Sequence, residues 1–95
     1  MTDKTVATML LHECLCKYKA AEEHFIEVES KRSASWEAWH DKTLEAEYDT
    51  AMKIWDDLED EAFALANIIT GNAFTKKQFN RLLSFRIDTL IGLTA

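Results

Sequence analysis

An all-α fold is what three features of this sequence predict. The chain has no proline, its only glycines are Gly71 and Gly92, and its apolar residues recur at alternating intervals of four and three. Such a poverty of breakers disfavours a many-turned β fold and any flexible linker, and a four-three repeat marks a helix that faces another helix. Hydrophobic residues make up 47% of the 95 positions, too many for a disordered acidic tail and enough for one domain, 1–95, with a modest core. The expected architecture is an antiparallel hairpin of two long helices plus a shorter third helix, a three-helix bundle with a projecting two-helix arm.

Helix one is expected over residues 4–29. Its seam is Ala7, Leu11, Cys14, Tyr18, Ala21, Phe25 and Val28. The stretch Ser30–Ser35 has Ala34 as its one apolar residue, so a turn falls there, and Ser33 or Ser35 can cap the next helix by accepting from its free amides. Helix two is expected as one run over 36–69, on the seam Leu44, Tyr48, Ala51, Trp55, Leu58, Ala62, Leu65 and Ile69, stopped by Gly71. At about 1.5 Å per residue it would be roughly 50 Å long. Helix three is expected over 76–91. Thr75 and Gln78 form a capping box, flanked by Phe74 and Phe79 as a hydrophobic staple. Its apolar face is Phe79, Leu82, Leu83, Ile87 and Leu90, with Gly92 read as a left-handed stop.

The width of each stripe indicates where the third helix packs. Met9, Leu10, Leu15 and Cys16 widen the first stripe early, and Phe63, Ala64, Ala66 and Ile68 widen the second late. In an antiparallel hairpin those ends are neighbours, so helix three covers them and residues 20–50 form the arm.

Charge narrows the function classes. The net charge of −6 disfavours direct contact with nucleic acid or an anionic membrane, both of which attract basic surfaces. Eight acids, Glu45, Glu47, Asp49, Asp56, Asp57, Glu59, Asp60 and Glu61, fall between the seam positions against Lys53 alone. They read either as the solvated side of a helix or as a surface for a basic partner. Helix three is basic, with Lys76, Lys77, Arg81 and Arg86, but the long TGNAFT turn and the overall charge oppose a helix-turn-helix. Arg86 falls in the apolar stripe, where it is expected to snorkel or to meet Asp60 or Glu61.

Chemistry-bearing motifs are sparse. Glu37 and His40 have the spacing used by carboxylate-bridged metal bundles, and His12 and Cys16 are one turn apart, but neither pair fills a site. No metal, cofactor or catalytic residue is expected, since phosphate loops, nucleophile elbows and paired-cysteine motifs are all missing. Cys14 and Cys16 are too close along a helix to bridge, which suits a reducing, cytoplasmic setting. The apolar stretch Val6–Cys16 makes a poor signal segment, being preceded by Asp3 and interrupted by His12 and Glu13, and it is too short and too charged for a membrane span.

The expected function is therefore protein binding. Trp36 and Trp39, three residues apart on the arm and out of phase with the Leu44 seam, read as interface anchors or as side chains closing the arm onto Phe25 and Val28. With Asp56, Asp57, Asp60 and Glu61 they form the candidate partner-binding set of a small acidic module acting stoichiometrically. By analogy of class alone, small inhibitors encoded by phages and mobile elements, anti-CRISPR and other anti-defence proteins included, often have this size and charge, and an acidic surface can occupy a groove built for phosphates. The alternatives are a structural homo-oligomer, most simply a homodimer, whose arms complete one another, and more distantly a metal-binding helical protein.

Overall fold

A computed structural model describes residues 4–95 and contains four helices: α1 (Lys4–Arg32), α2 (Trp36–Trp39), α3 (Lys42–Thr70) and α4 (Lys76–Thr94). Asp3, invoked above against a signal segment, lies outside the described residues. The two long helices form the expected antiparallel hairpin and α4 folds back against it, making an all-α bundle of 50 × 24 × 22 Å. No described helix is long and apolar enough to cross a membrane.

Both predicted seams meet in the hairpin. Six of the seven α1 seam residues are buried and Ala21 is half-buried; on α3, Ala51 and Ala62 are buried and the larger side chains half-buried. Small residues on α3 thus sit against large ones on α1. Under α4 lies the main core, with Leu11, Cys14, Leu15 and Tyr18 meeting Ala62, Ala66, Phe79 and Leu83. In the arm the seam closes through rings, since Phe25 lies 5.0 Å from both Tyr48 and Trp55, measured between centroids.

The expected single helix over 36–69 is broken. Trp36–Trp39 form one turn on the Ser35 cap, whose hydroxyl accepts from the Ala38 amide. Asp41 then caps α3, its carboxylate accepting from the Thr43 and Leu44 amides at 2.8 and 3.0 Å. An aspartate there satisfies orphan donors and favours a new start over continuation. With 29 residues, α3 is roughly 43 Å long rather than 50. Meanwhile α1 continues to Arg32, three residues beyond its expected end.

Helix α4 begins as predicted, with both halves of the capping box formed and Phe74 packed with Phe79 in the core cluster. Its end differs. Gly92 is helical and the helix runs to Thr94, whose hydroxyl donates back to the Leu90 carbonyl, so no left-handed stop is needed. Arg86 is also corrected: it is exposed, it has non-helical φ/ψ of −134° and 24° that bend the helix, and it meets neither Asp60 nor Glu61. Lys76 pairs with Asp60 instead, at 2.5 Å. Of the residues that widen the stripes, Leu15, Phe63 and Ala66 turn inward, while Met9, Leu10, Cys16, Ala64 and Ile68 stay exposed.

Gly71, at φ 66°, and Asn72, at φ 65°, are both left-handed, and their amides close onto the Asn67 carbonyl. The two glycines should therefore respond oppositely to alanine, although neither has an atom within 4 Å of an added Cβ. Gly71→Ala should cost about 1 kcal/mol and lower Tm by several degrees, whereas Gly92→Ala should stabilise by a few tenths of a kcal/mol through helix propensity. Thermal melts of the two variants check this.

Burial also sets the alkaline limit. Cys14 and Tyr18, each 2% exposed, have pKa values pushed up by burial to about 11 and about 12 from ordinary values of 9.0 and 10.0. The unfolded chain releases these protons first, so stability is complete below pH 9 and falls as pH rises through 9 to 12. Melting temperature should decline within that window.

Candidate functional site

The candidate site divides into two surfaces. The first is the hairpin tip, where α1 ends and α2 projects. Trp36 is 77% exposed and Trp39 45%, so neither tryptophan closes the arm core. The mount beneath them is nonetheless well held. Beyond its cap on Ser35, α2 is tied by Arg32, whose guanidinium carbon lies 4.3 Å from the Trp39 ring centroid and 4.9 Å from that of Tyr48. Arg32 Nε also donates to the Trp39 carbonyl at 3.2 Å. Trp36 meets the His40 ring edge-on at 4.3 Å between centroids. One ring is thus clamped and one presented outward, an arrangement that leaves large apolar bodies with wet polar edges, as interface anchors have.

The second surface is the acidic ridge of α3. Asp56, Asp57, Asp60 and Glu61 are all exposed, but half of them have partners within the chain: Lys53 Nζ lies 2.9 Å from Asp57, and Lys76 pairs with Asp60. Glu59 accepts from the Asn80 side chain at 2.6 Å, a second strap onto α4. Among the described residues, Asp56 and Glu61 make no ion pair. Asp56 lies fourteen residues into α3 from Lys42, about 21 Å along the axis. Tip and ridge are therefore separate surfaces and cannot enclose one small ligand between them.

The remaining ligand-type residues are engaged in structure. His40 closes α2 as its C-cap, and Glu37 stays exposed. His12 Nδ1 lies 3.2 Å from the Ile91 carbonyl and 3.1 Å from the Thr94 hydroxyl, joining α1 to the end of α4. In the tautomer with the proton on Nδ1 the ring donates to that carbonyl, and Nε2 accepts from the Cys16 thiol at 3.8 Å. No group of three His, Cys, Asp or Glu side chains is gathered for a metal among the described residues.

Sequence reasoning missed Arg32 and Tyr48 as parts of the tip. The available signal was a cation in the last turn of α1 on the arm that also carries Trp39, but pairing it with Tyr48 required knowing that α3 restarts at Lys42. No protein family, curated protein or solved structure matches the chain.

Arg32→Ala should remove both ring contacts, lowering stability by about 0.5–1 kcal/mol and making Trp39 more accessible to a neutral fluorescence quencher. Chelator should leave the melting curve unchanged; a drop of several degrees would point instead to a metal held by His12 and Cys16 or by His40.

Proposed function

We propose that this chain is a stoichiometric protein-binding module that docks through the Trp36 and Trp39 tip, with the acidic ridge of α3 steering it toward a basic partner surface. The observation that carries the reading is the exposure of two tryptophans on a capped and clamped one-turn mount. Leaving so large an apolar ring in water is unfavourable, whereas burying it in a partner's pocket is worth about 2 kcal/mol or more at a hot spot. Pre-organisation of the mount lowers the ordering cost of binding. The free charges on Asp56 and Glu61 add to a net charge of −6 and favour a basic, nucleic-acid-handling partner, bound without direct contact to nucleic acid. On that reading the chain acts in the cytoplasm as an inhibitor of the phage or mobile-element, anti-CRISPR or anti-defence type, needing no catalysis of its own.

Affinity capture identifies the partner, and titration of the purified pair then tests the reading. The double variant Trp36→Ala/Trp39→Ala should weaken binding more than about tenfold, with its salt dependence unchanged and the loss mainly in dissociation rate. Asp56→Lys/Asp60→Lys should slow association and flatten the salt dependence, because exposed charges steer over about 8–10 Å. The lost Lys76 pair is exposed, so folding should change little. Unchanged affinity in both variants would refute docking by either surface.

A further inference from the structure

The face of the hairpin turned away from α4 carries a second pattern. On α1, Leu10, Lys17, His24 and Lys31 follow at intervals of seven; on α3, Glu47, Ile54, Glu61 and Ile68 do the same. All eight are exposed. Two helical steps turn a side chain by about 200°, so Lys17 faces away from Lys19, which pairs with Asp88 of α4 at 2.6 Å. Likewise Glu61 faces away from Glu59, which holds Asn80 of α4. Between the two rows runs a trough with no α4 residue in its lining. One section is bounded by Lys17, Ala20, Ala21, Asp57 and Glu61, the next by His24, Thr43, Glu47 and Thr50, and Ile54 lines both. From Thr43 to Glu61 it extends roughly 27 Å.

The walls differ in sign. The α1 wall carries the cation of Lys17; the α3 wall carries the carboxylates of Glu47 and Glu61, with Asp57 paired to Lys53. Lys17 and Glu61 line the same section of the trough, and His24 and Ile54 line the next; seven residues from Lys17 and Glu61, away from that next section, stand Leu10 and Ile68. A second copy, turned about a two-fold axis parallel to the helices, sets each α1 wall over the other's α3 wall. Lys17 then meets the second copy's acidic wall at the same level, twice by symmetry. Turning the copy about an axis across the helices would instead set α1 on α1 and α3 on α3, like charge on like. Ala20 and Ala21 line the floor and let the backbones approach, and Leu10, Ile54 and Ile68, each 44–49% exposed, supply the apolar contact. A molecule of 50 × 24 × 22 Å offers on this face roughly the 800 Å² per partner of a standard interface.

We infer that the trough is a homodimer interface in which α1 and α3 of two copies form an antiparallel four-helix core, fixed in orientation by Lys17 against Glu61. The inference does not rest on the tip, which lies at the end of the hairpin and stays free in the dimer. Light scattering or sedimentation equilibrium at tens of micromolar should give twice the mass of one chain. Lys17→Glu alone and Glu61→Lys alone should each run as monomers with unchanged helical circular dichroism, both positions being exposed. Mixing these two variants should restore the doubled mass, because every cross-copy pair is again opposite in sign. A monomeric native chain, or a dimer indifferent to both charge reversals, would overturn the inference, as would failure of the mixture to reassociate. Trp36→Ala/Trp39→Ala should leave the mass doubled, so loss of partner binding and loss of the dimer are read separately.

Discussion

Everything in this molecule depends on one seam, where small residues on α3 admit large ones on α1. Ala51 and Ala62 are buried on α3 opposite a row that includes Leu11, Tyr18, Phe25 and Val28. That pairing lets two helices of 29 residues lie close along their full length. Without it neither helix would bury enough surface to offset the entropy of ordering. The ends of the seam are finished differently. Near the chain termini α4 adds Phe79 and Leu83; at the other end Phe25, Tyr48 and Trp55 fill the space by themselves. The arm is therefore closed within the chain, and its seam does not need another helix to cover it.

Because the seam takes the inner stripe of each long helix, only the two flanks remain for packing. One flank receives α4, joined to α1 by His12 and by the Lys19–Asp88 pair, and to α3 by Glu59 and Asp60. The other receives nothing from the described chain and keeps the heptad rows of Leu10 and Ile54. A three-helix bundle made by adding one helix to a hairpin has this asymmetry built in. On α3 that vacant flank alternates Glu47, Ile54, Glu61 and Ile68, and on α1 it carries Leu10, Lys17, His24 and Lys31.

Legibility in the sequence followed the same division. The seams were readable because each position repeats with the helix period and the two helices select the same stripe. The α4 start was readable because capping is local: Thr75 and Gln78 need only each other. The break at His40 and Asp41 was not, since WEAWHDKTLE carries neither glycine nor proline, and only the competition of Ser35 and Asp41 for backbone amides decides it. Gly92 misled for the converse reason. A glycine near a helix end permits a left-handed stop without requiring one, and here Thr94 back-bonding carries the helix past it. At the tip, that unforeseen break sets Trp36 and Trp39 on a turn of their own, capped by Ser35 and His40.

The acids that give α3 its charge are not a uniform surface. Asp41 caps the helix, Glu59 and Asp60 hold α4, Asp57 pairs with Lys53, and Asp56 and Glu61 are exposed with no ion pair among the described residues. Each exposed pair is worth little, about 0–1 kcal/mol, yet pairing halves the free charge the ridge offers. A single buried tryptophan contributes more than the screened attraction of two or three exposed carboxylates. Magnitudes thus assign different roles to the two surfaces. On the proposed reading the ridge would orient an approach and exclude acidic partners, and the clamped aromatic tip would set the lifetime of the complex. Glu61 stands at the border of the ridge, since it also lines the trough with Lys17, and in the inferred dimer its charge would choose the direction in which a second copy can lie.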